Sequence, residues 1–88
     1  MDRIYRRNLI YKMQTVNGRI ILMGNREAFE MNAVAEFVWK MLDGNRTLRQ
    51  ICDSVKQNFA EAEEAVSLEN DIVSFLEEME RAGVVLKV

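Results

Sequence analysis

The sequence contains no histidine and no proline, and only one cysteine among its 88 residues. The absence of histidine removes the usual general base near neutral pH and the commonest nitrogen ligand for metals. The single cysteine, Cys52, excludes an internal disulfide and is typical of a reducing compartment, so we expect a cytoplasmic protein. The four glycines are scattered singly, which leaves no glycine-rich phosphate loop. We therefore expect a protein with no catalytic residues, no metal and no cofactor.

Long hydrophobic runs are also missing from the chain. No apolar segment approaches the roughly 20 residues that cross a bilayer, and the N-terminus has no apolar core typical of a signal peptide, so no membrane partner is predicted. With 49% hydrophobic and 30% charged residues, the composition is that of a globular protein. The length predicts one domain over residues 1–88, in which residues 1–8 are a candidate for a flexible basic arm.

The first third of the chain has the pattern of antiparallel strands. Apolar and polar residues alternate from Leu9 onward, and Asn17-Gly18 is the pair best suited to a two-residue hairpin turn. This turn would place Thr15 opposite Ile20. A second turn at Gly24-Asn25 leads into the segment Glu27–Met31, which completes a predicted three-stranded meander.

From Asn32 onward the hydrophobic period changes to that of helices. Asn32 is a good N-cap for a first helix, which Asp43-Gly44-Asn45 would end. Thr47 and Gln50 form a capping-box pattern for a second helix, and Ser67 is the expected cap of a third that stops at Gly83. Residues 84–88 would add a short strand or pack against the sheet. The predicted fold class is α+β, a three-stranded antiparallel β-meander followed by three helices in a winged helix-turn-helix-like arrangement.

A helix-turn-helix suggests DNA binding, but the charge of the third helix argues against it. Residues 61–80 contain eight acidic side chains and no lysine or arginine. A phosphate backbone would be repelled by this surface, so no nucleic-acid partner is predicted. A winged-helix DNA-binding regulator is kept as an alternative function, as is a structural accessory subunit of a larger enzyme.

The run FEMNAVAEFVWKMLDGNRTLRQICDSVKQNF resembles the central segment of PqqD-like proteins. The elements of the resemblance are Met31-Asn32, an apolar helix, the turn from Asp43 to Thr47, and Ile51 in the second helix. Asp71-Ile72, Phe75-Leu76 and Gly83-Val84-Val85 are similar to the family's later pattern, and the match extends over about Arg19 to Val85. The resemblance implies a RiPP recognition element, a peptide chaperone without catalysis of its own. Such modules bind the leader segment of a ribosomally made precursor peptide and deliver it to a modifying enzyme, often of the radical S-adenosylmethionine class.

The resemblance also implies that the leader adds as a strand to the meander, next to the third helix. The segment Glu27–Met31 is the last strand of the predicted sheet, so one side of its backbone is free to pair with an extended peptide. Candidate peptide-binding residues are therefore Ala28, Phe29, Glu30 and Met31 on this strand, and Glu69, Val73, Leu76 and Glu80 on the third helix. Two alternatives stay open. Phe29 and Met31 point towards the helices, so they are also candidates for the core. On the third helix, the alternative is that Val73 only widens the apolar stripe of the core and that Glu69 and Glu80 are solvated.

Two further features bear on partners. Trp39 lies off the centre of the first helix's apolar stripe, which is compatible with partly buried packing or with an exposed contact to a partner enzyme. Charge is divided along the chain, with nine basic and five acidic residues in 1–49 against three and nine in 50–88. Such asymmetry favours oriented docking onto a partner.

Overall fold

The structure is a computed structural model that describes residues 2–59 and 65–88. In these residues the chain forms six strands and three helices, which confirms the α+β class. In chain order they are β1 (Ile4–Arg7), β2 (Lys12–Val16), β3 (Arg19–Gly24), β4 (Glu27–Met31), α1 (Ala33–Lys40), β5 (Asp43–Thr47), α2 (Leu48–Asn58), α3 (Ala65–Arg81) and β6 (Val85–Lys87). No helix in the described residues has the length and apolarity required to cross a membrane.

The predicted meander is present as the sheet β2-β3-β4. Asn17 and Gly18 both have positive φ, 52° and 77°, and the hairpin they close places Thr15 opposite Ile20 as expected. The second turn lies at Asn25-Arg26, one residue later than predicted. Gly24 instead ends β3, where a Cβ would lie 2.7 Å from the Ile10 carbonyl oxygen. The close approach of the two backbones is what requires glycine at this position.

The expectation of a flexible arm over residues 1–8 is wrong for residues 4–7. They form β1, the central strand of a second sheet with the order β5-β1-β6. Tyr5 is only 1% exposed, and the N–H of Val88 donates to the Ile4 carbonyl at 2.8 Å. The final segment therefore forms a strand, which is one of the two alternatives predicted for residues 84–88.

The helix ends were predicted in part. Asn32 caps α1 by accepting a hydrogen bond from the Ala35 N–H at 2.8 Å, and the capping box of Thr47 and Gln50 is confirmed at α2. The segment from Asp43 to Asn45 was expected only to end the first helix. In the structure α1 already ends at Lys40, and Asp43 begins the strand β5, where it pairs with Arg6 of β1. Ser67 is not a cap, because α3 begins at Ala65.

One hydrophobic core joins the two sheets and the three helices. Leu22, Ile51 and Leu76 are each 0% exposed, and each comes from a different element. Trp39 is 4% exposed, so its role is packing and not an exposed contact. Cys52 lies in the same core, where burial raises the pKa of its thiol and keeps it protonated.

Candidate functional site

The strand β4 forms one edge of the meander, and its backbone has an open side. Gly24 and Glu27 flank a two-residue turn, so they exchange both main-chain hydrogen bonds across the hairpin. Hydrogen-bonded and non-bonded pairs then alternate along the ladder, and Phe29 and Met31 also bond to β3. The N–H and C=O groups of Ala28 and Glu30 consequently point away from the sheet. This edge offers two donors and two acceptors to an extended chain.

A groove runs beside this edge, between β4 and α3. We call it the β4 groove. It has a volume of about 450 Å³, and a second depression of about 180 Å³ lies between α1 and α3. The two are adjacent, because Asn32, Ala35 and Phe75 line both. The lining residues are Ala28, Phe29, Glu30 and Met31 of β4, Asn32, Val34, Ala35 and Val38 at α1, and Leu68, Asp71, Ile72, Phe75, Glu78 and Met79 of α3.

All four candidate residues on β4 line this groove. Phe29 is partly buried against the core and Met31 is 8% exposed, so both serve the core while forming the floor of the groove. Ala28 and Glu30 lie on the solvent face of the strand and supply the outward-pointing backbone groups. The two roles that the sequence left open for Phe29 and Met31 are therefore compatible.

The four candidates on α3 are not among the residues that line the β4 groove. Glu69 pairs with Lys56 of α2, and the hydroxyl of Tyr5 in β1 donates to Glu80 at 3.4 Å. Leu76 is fully buried, and Val73 is partly buried against the core. This row of residues faces α2 and β1, on the flank of α3 that lies away from β4.

The residues of α3 that line the groove lie one or two positions before the predicted residues in the sequence. They are therefore on a neighbouring flank of the helix. Phe75, Glu78 and Met79 face β4, and Leu68, Asp71 and Ile72 continue the surface towards α1. Leu68 and Phe75 are two turns apart on one face, which is the sequence signal that could have identified this flank. Periodicity alone did not distinguish it from the flank occupied by Val73.

The groove carries negative charge that the protein leaves largely unpaired. Among the ion pairs of the described residues, Glu77 binds Arg3 at 3.1 Å and Glu69 binds Lys56, whereas Asp71 and Glu78 take part in none. The hydrogen bond from Lys56 lowers the pKa of Glu69 and keeps it ionised. Glu30 lies 4.0 Å from Arg19, and both side chains are well exposed, so this pair is weak.

The site thus combines a main-chain edge, an apolar floor and three exposed carboxylates, those of Glu30, Asp71 and Glu78. Within the described residues, no group of three metal-ligating side chains comes together. The Cys52 thiol lies in the core and is 1% exposed. The arrangement suits noncovalent docking of an extended chain with apolar and basic side chains.

The fold and this site define an α+β domain with an open strand edge beside a helix groove. The sequence matches the family model of coenzyme PQQ synthesis protein D (PqqD) over residues 19–85, and the chain belongs to this family. The resemblance inferred from the sequence is confirmed over the same residues. No curated protein matches the chain. A solved structure described as "TbiB1 in Complex with the TbiA(beta) Leader Peptide" has a TM-score of 0.71 and 15% identity, covering 91% of this chain and 93% of that chain. At this identity the likeness shows a shared fold.

Proposed function

We propose that this protein is a noncatalytic module that binds the leader segment of a ribosomally made precursor peptide. The observation that carries the proposal is the open edge of β4 beside the apolar groove of α3. Membership of the PqqD family supports it, as does the similarity of the fold to TbiB1, which was solved with a leader peptide. The leader would add as a fourth strand to the sheet β2-β3-β4.

Main-chain hydrogen bonds provide affinity in this binding mode, and side chains provide selectivity. The leader pairs with the outward-pointing backbone groups of Ala28 and Glu30. Because side chains alternate along a strand, every second leader residue faces the groove, whose apolar lining includes Phe29, Phe75 and Met79. Apolar residues are therefore favoured at these positions of the leader.

The carboxylates of the groove add a preference for charge. Asp71 and Glu78 are exposed on α3, and Glu30 is exposed on β4. A lysine or arginine in the leader gains an ion pair at Asp71 or Glu78 without breaking a pair that the protein already makes, and at Glu30 it competes only with the weak pair to Arg19. We expect leaders with apolar anchors and one or two basic residues to bind best.

In this proposal the bound leader is presented to a modifying enzyme, which by family resemblance is of the radical S-adenosylmethionine class. The whole chain, residues 1–88, acts as a single recognition domain in the cytoplasm.

The proposal is tested by a two-dimensional amide NMR titration with the leader of a short peptide encoded beside this gene, and with random duplex DNA as control. We expect shifts at Ala28–Met31 and along residues 68–79, and none with DNA. Shifts confined to residues 46–59 and the basic N-terminus, seen with DNA and absent with the leader, would contradict leader binding. They would instead support a DNA-binding regulator.

A further inference from the structure

Exposed apolar side chains are concentrated at the opposite edge of the meander. In the described residues five large apolar side chains are exposed: Leu9, Ile10, Val16, Met23 and Val88. Leu9 and Ile10 lie before β2 and are separated from it by Tyr11, Val16 lies in β2, and Met23 pairs opposite Lys12. Leu9 is 71% exposed and Ile10 is 58% exposed. Contiguous exposed apolar surface marks interaction sites, whereas apolar side chains that are exposed singly are normal.

The strand β2 is the second edge of the same sheet. Val16 and Arg19 flank the two-residue turn and are hydrogen-bonded to each other, so Gln14 and Lys12 also bond to β3. By the same alternation, the N–H and C=O groups of Met13 and Thr15 point outward. Within the described residues the meander therefore presents an open main-chain edge on each of its two sides.

A depression of about 330 Å³ lies beside β2, and its charge is opposite to that of the β4 groove. Its apolar wall is formed by Leu9, Tyr11, Met13 and Trp39. Its charged lining residues are Arg7, Lys12 and Lys40, and no acidic residue from the described part of the chain lines it. Lys40 is 3.9 Å from Glu36, an exposed pair of small energetic weight. We call this surface the β2 face.

We propose that the β2 face is a second docking site, and that its occupant is an extended, acidic and apolar segment of a partner protein. Such a segment would pair with Met13 and Thr15 as a strand and place apolar side chains beside Leu9. Its carboxylates would lie near Arg7, Lys12 and Lys40. This site is separate from the leader site, and the proposal does not depend on what occupies β4.

Two other occupants fit the surface less well. An anionic membrane would match the basic and apolar side chains but would leave the outward donors and acceptors of Met13 and Thr15 unpaired. A second copy of the chain would offer the acidic residues of α3, whose helical backbone is already hydrogen-bonded internally, or its edge strand β4, which is the proposed leader site. Only an extended chain satisfies the main-chain groups and the charge together.

The test uses the full chain and a short capped peptide in which glutamate alternates with valine and leucine. Its matched control has lysine in place of every glutamate. We expect the acidic peptide to shift the amides of Met13 and Thr15 and the Trp39 indole, and to bind roughly tenfold or more tightly than the basic one. The double variant Lys12→Glu, Lys40→Glu should reverse this preference.

Thr15→Pro removes one outward N–H of β2 and should abolish binding of the acidic peptide, whereas Glu30→Pro on the other edge should retain it. Equal affinity for the two peptides, no shift at β2, or shifts confined to Ala28–Glu30 would overturn the proposal. Binding to phosphatidylglycerol vesicles with none to the acidic peptide would mean a membrane surface. Self-association in sedimentation velocity that the double variant abolishes would mean a second copy.

Discussion

Replacing Glu30 by proline isolates the main-chain contribution to leader binding. The N–H of Glu30 points away from β3, so proline removes a donor that the leader would use and none that the sheet uses. Proline at a ladder position such as Phe29 would instead break a hydrogen bond of the sheet. At Glu30 we expect a loss of stability below about 1 kcal/mol, the range of ordinary surface substitutions.

The expected loss of affinity follows from the hydrogen bonds at this edge. Ala28 and Glu30 offer two N–H and two C=O groups, and the proline ring leaves one leader carbonyl facing no donor. An unpaired, partly buried polar group costs about 1–3 kcal/mol, which corresponds to roughly 5-fold to 150-fold weaker binding. We expect the dissociation constant of Glu30→Pro to rise within this range or above it, because the ring also hinders close approach of the leader.

The measurement is isothermal titration calorimetry or fluorescence anisotropy with a labelled leader, with chemical denaturation to establish that the variant is folded. Thr15→Pro is the matched control, since it makes the same change at β2 and should leave leader affinity unaltered. A folded Glu30→Pro protein with unchanged affinity would refute strand addition at β4. Unfolding of Glu30→Pro would refute the hydrogen-bond alternation derived from the turn at Asn25-Arg26.

Three further predictions concern the fold that positions these sites. Gly24→Ala should lower the free energy of unfolding by about 1–3 kcal/mol, because its Cβ would lie 2.7 Å from the Ile10 carbonyl oxygen; urea denaturation measures this. Thr47→Ala should cost about 1 kcal/mol in the same assay, since it removes the side-chain acceptor that caps α2. The Glu69–Lys56 pair should stabilise the protein near neutral pH and lose its effect in acid. The pKa of Glu69 is lower in the folded protein than its ordinary value of 4.5, so this contribution is present above that value and disappears as the pH falls through the folded pKa. Urea denaturation of the wild type and of Glu69→Gln at about pH 6 and about pH 3 measures this contribution. The difference in free energy of unfolding between the two proteins should be smaller at the lower pH.

Each of these has an outcome that would contradict it. An unfolding midpoint unchanged in Gly24→Ala would mean that the crossing of residue 10 over β3 is looser than the structure has it. Thr47→Ser, which keeps the hydroxyl, should restore most of the stability lost in Thr47→Ala, and failure to do so would point away from capping. If the free energies of unfolding of the wild type and of Glu69→Gln differ by the same amount at both pH values, the ion pair is not the source of that difference.

The sequence by itself determined the features that depend on neighbouring residues. The positive φ angles of Asn17 and Gly18 close a hairpin whatever surrounds it, and that turn sets the register of β2 against β3. The caps at Asn32 and Thr47 are likewise local hydrogen bonds that span three residues. The edge position of β4 followed from its place at the end of the meander. Family membership over residues 19–85 was also available from motif order alone.

Only the tertiary structure decided the second sheet and the faces of α3. Ile4–Arg7 is too short to show a strand pattern, and its partners Asp43–Thr47 and Val85–Lys87 lie about 40 and 80 residues away. Helical periodicity identified the apolar stripe of α3 but left two equivalent flanks, one with Glu69 and Val73 and the other with Asp71 and Phe75. The packing of α3 against α2 and β1 turned the first flank inward and opened the second to the β4 groove. The rotation of a helix about its axis is fixed by all its neighbours together, so the spacing of Leu68 and Phe75 did not by itself distinguish the two flanks.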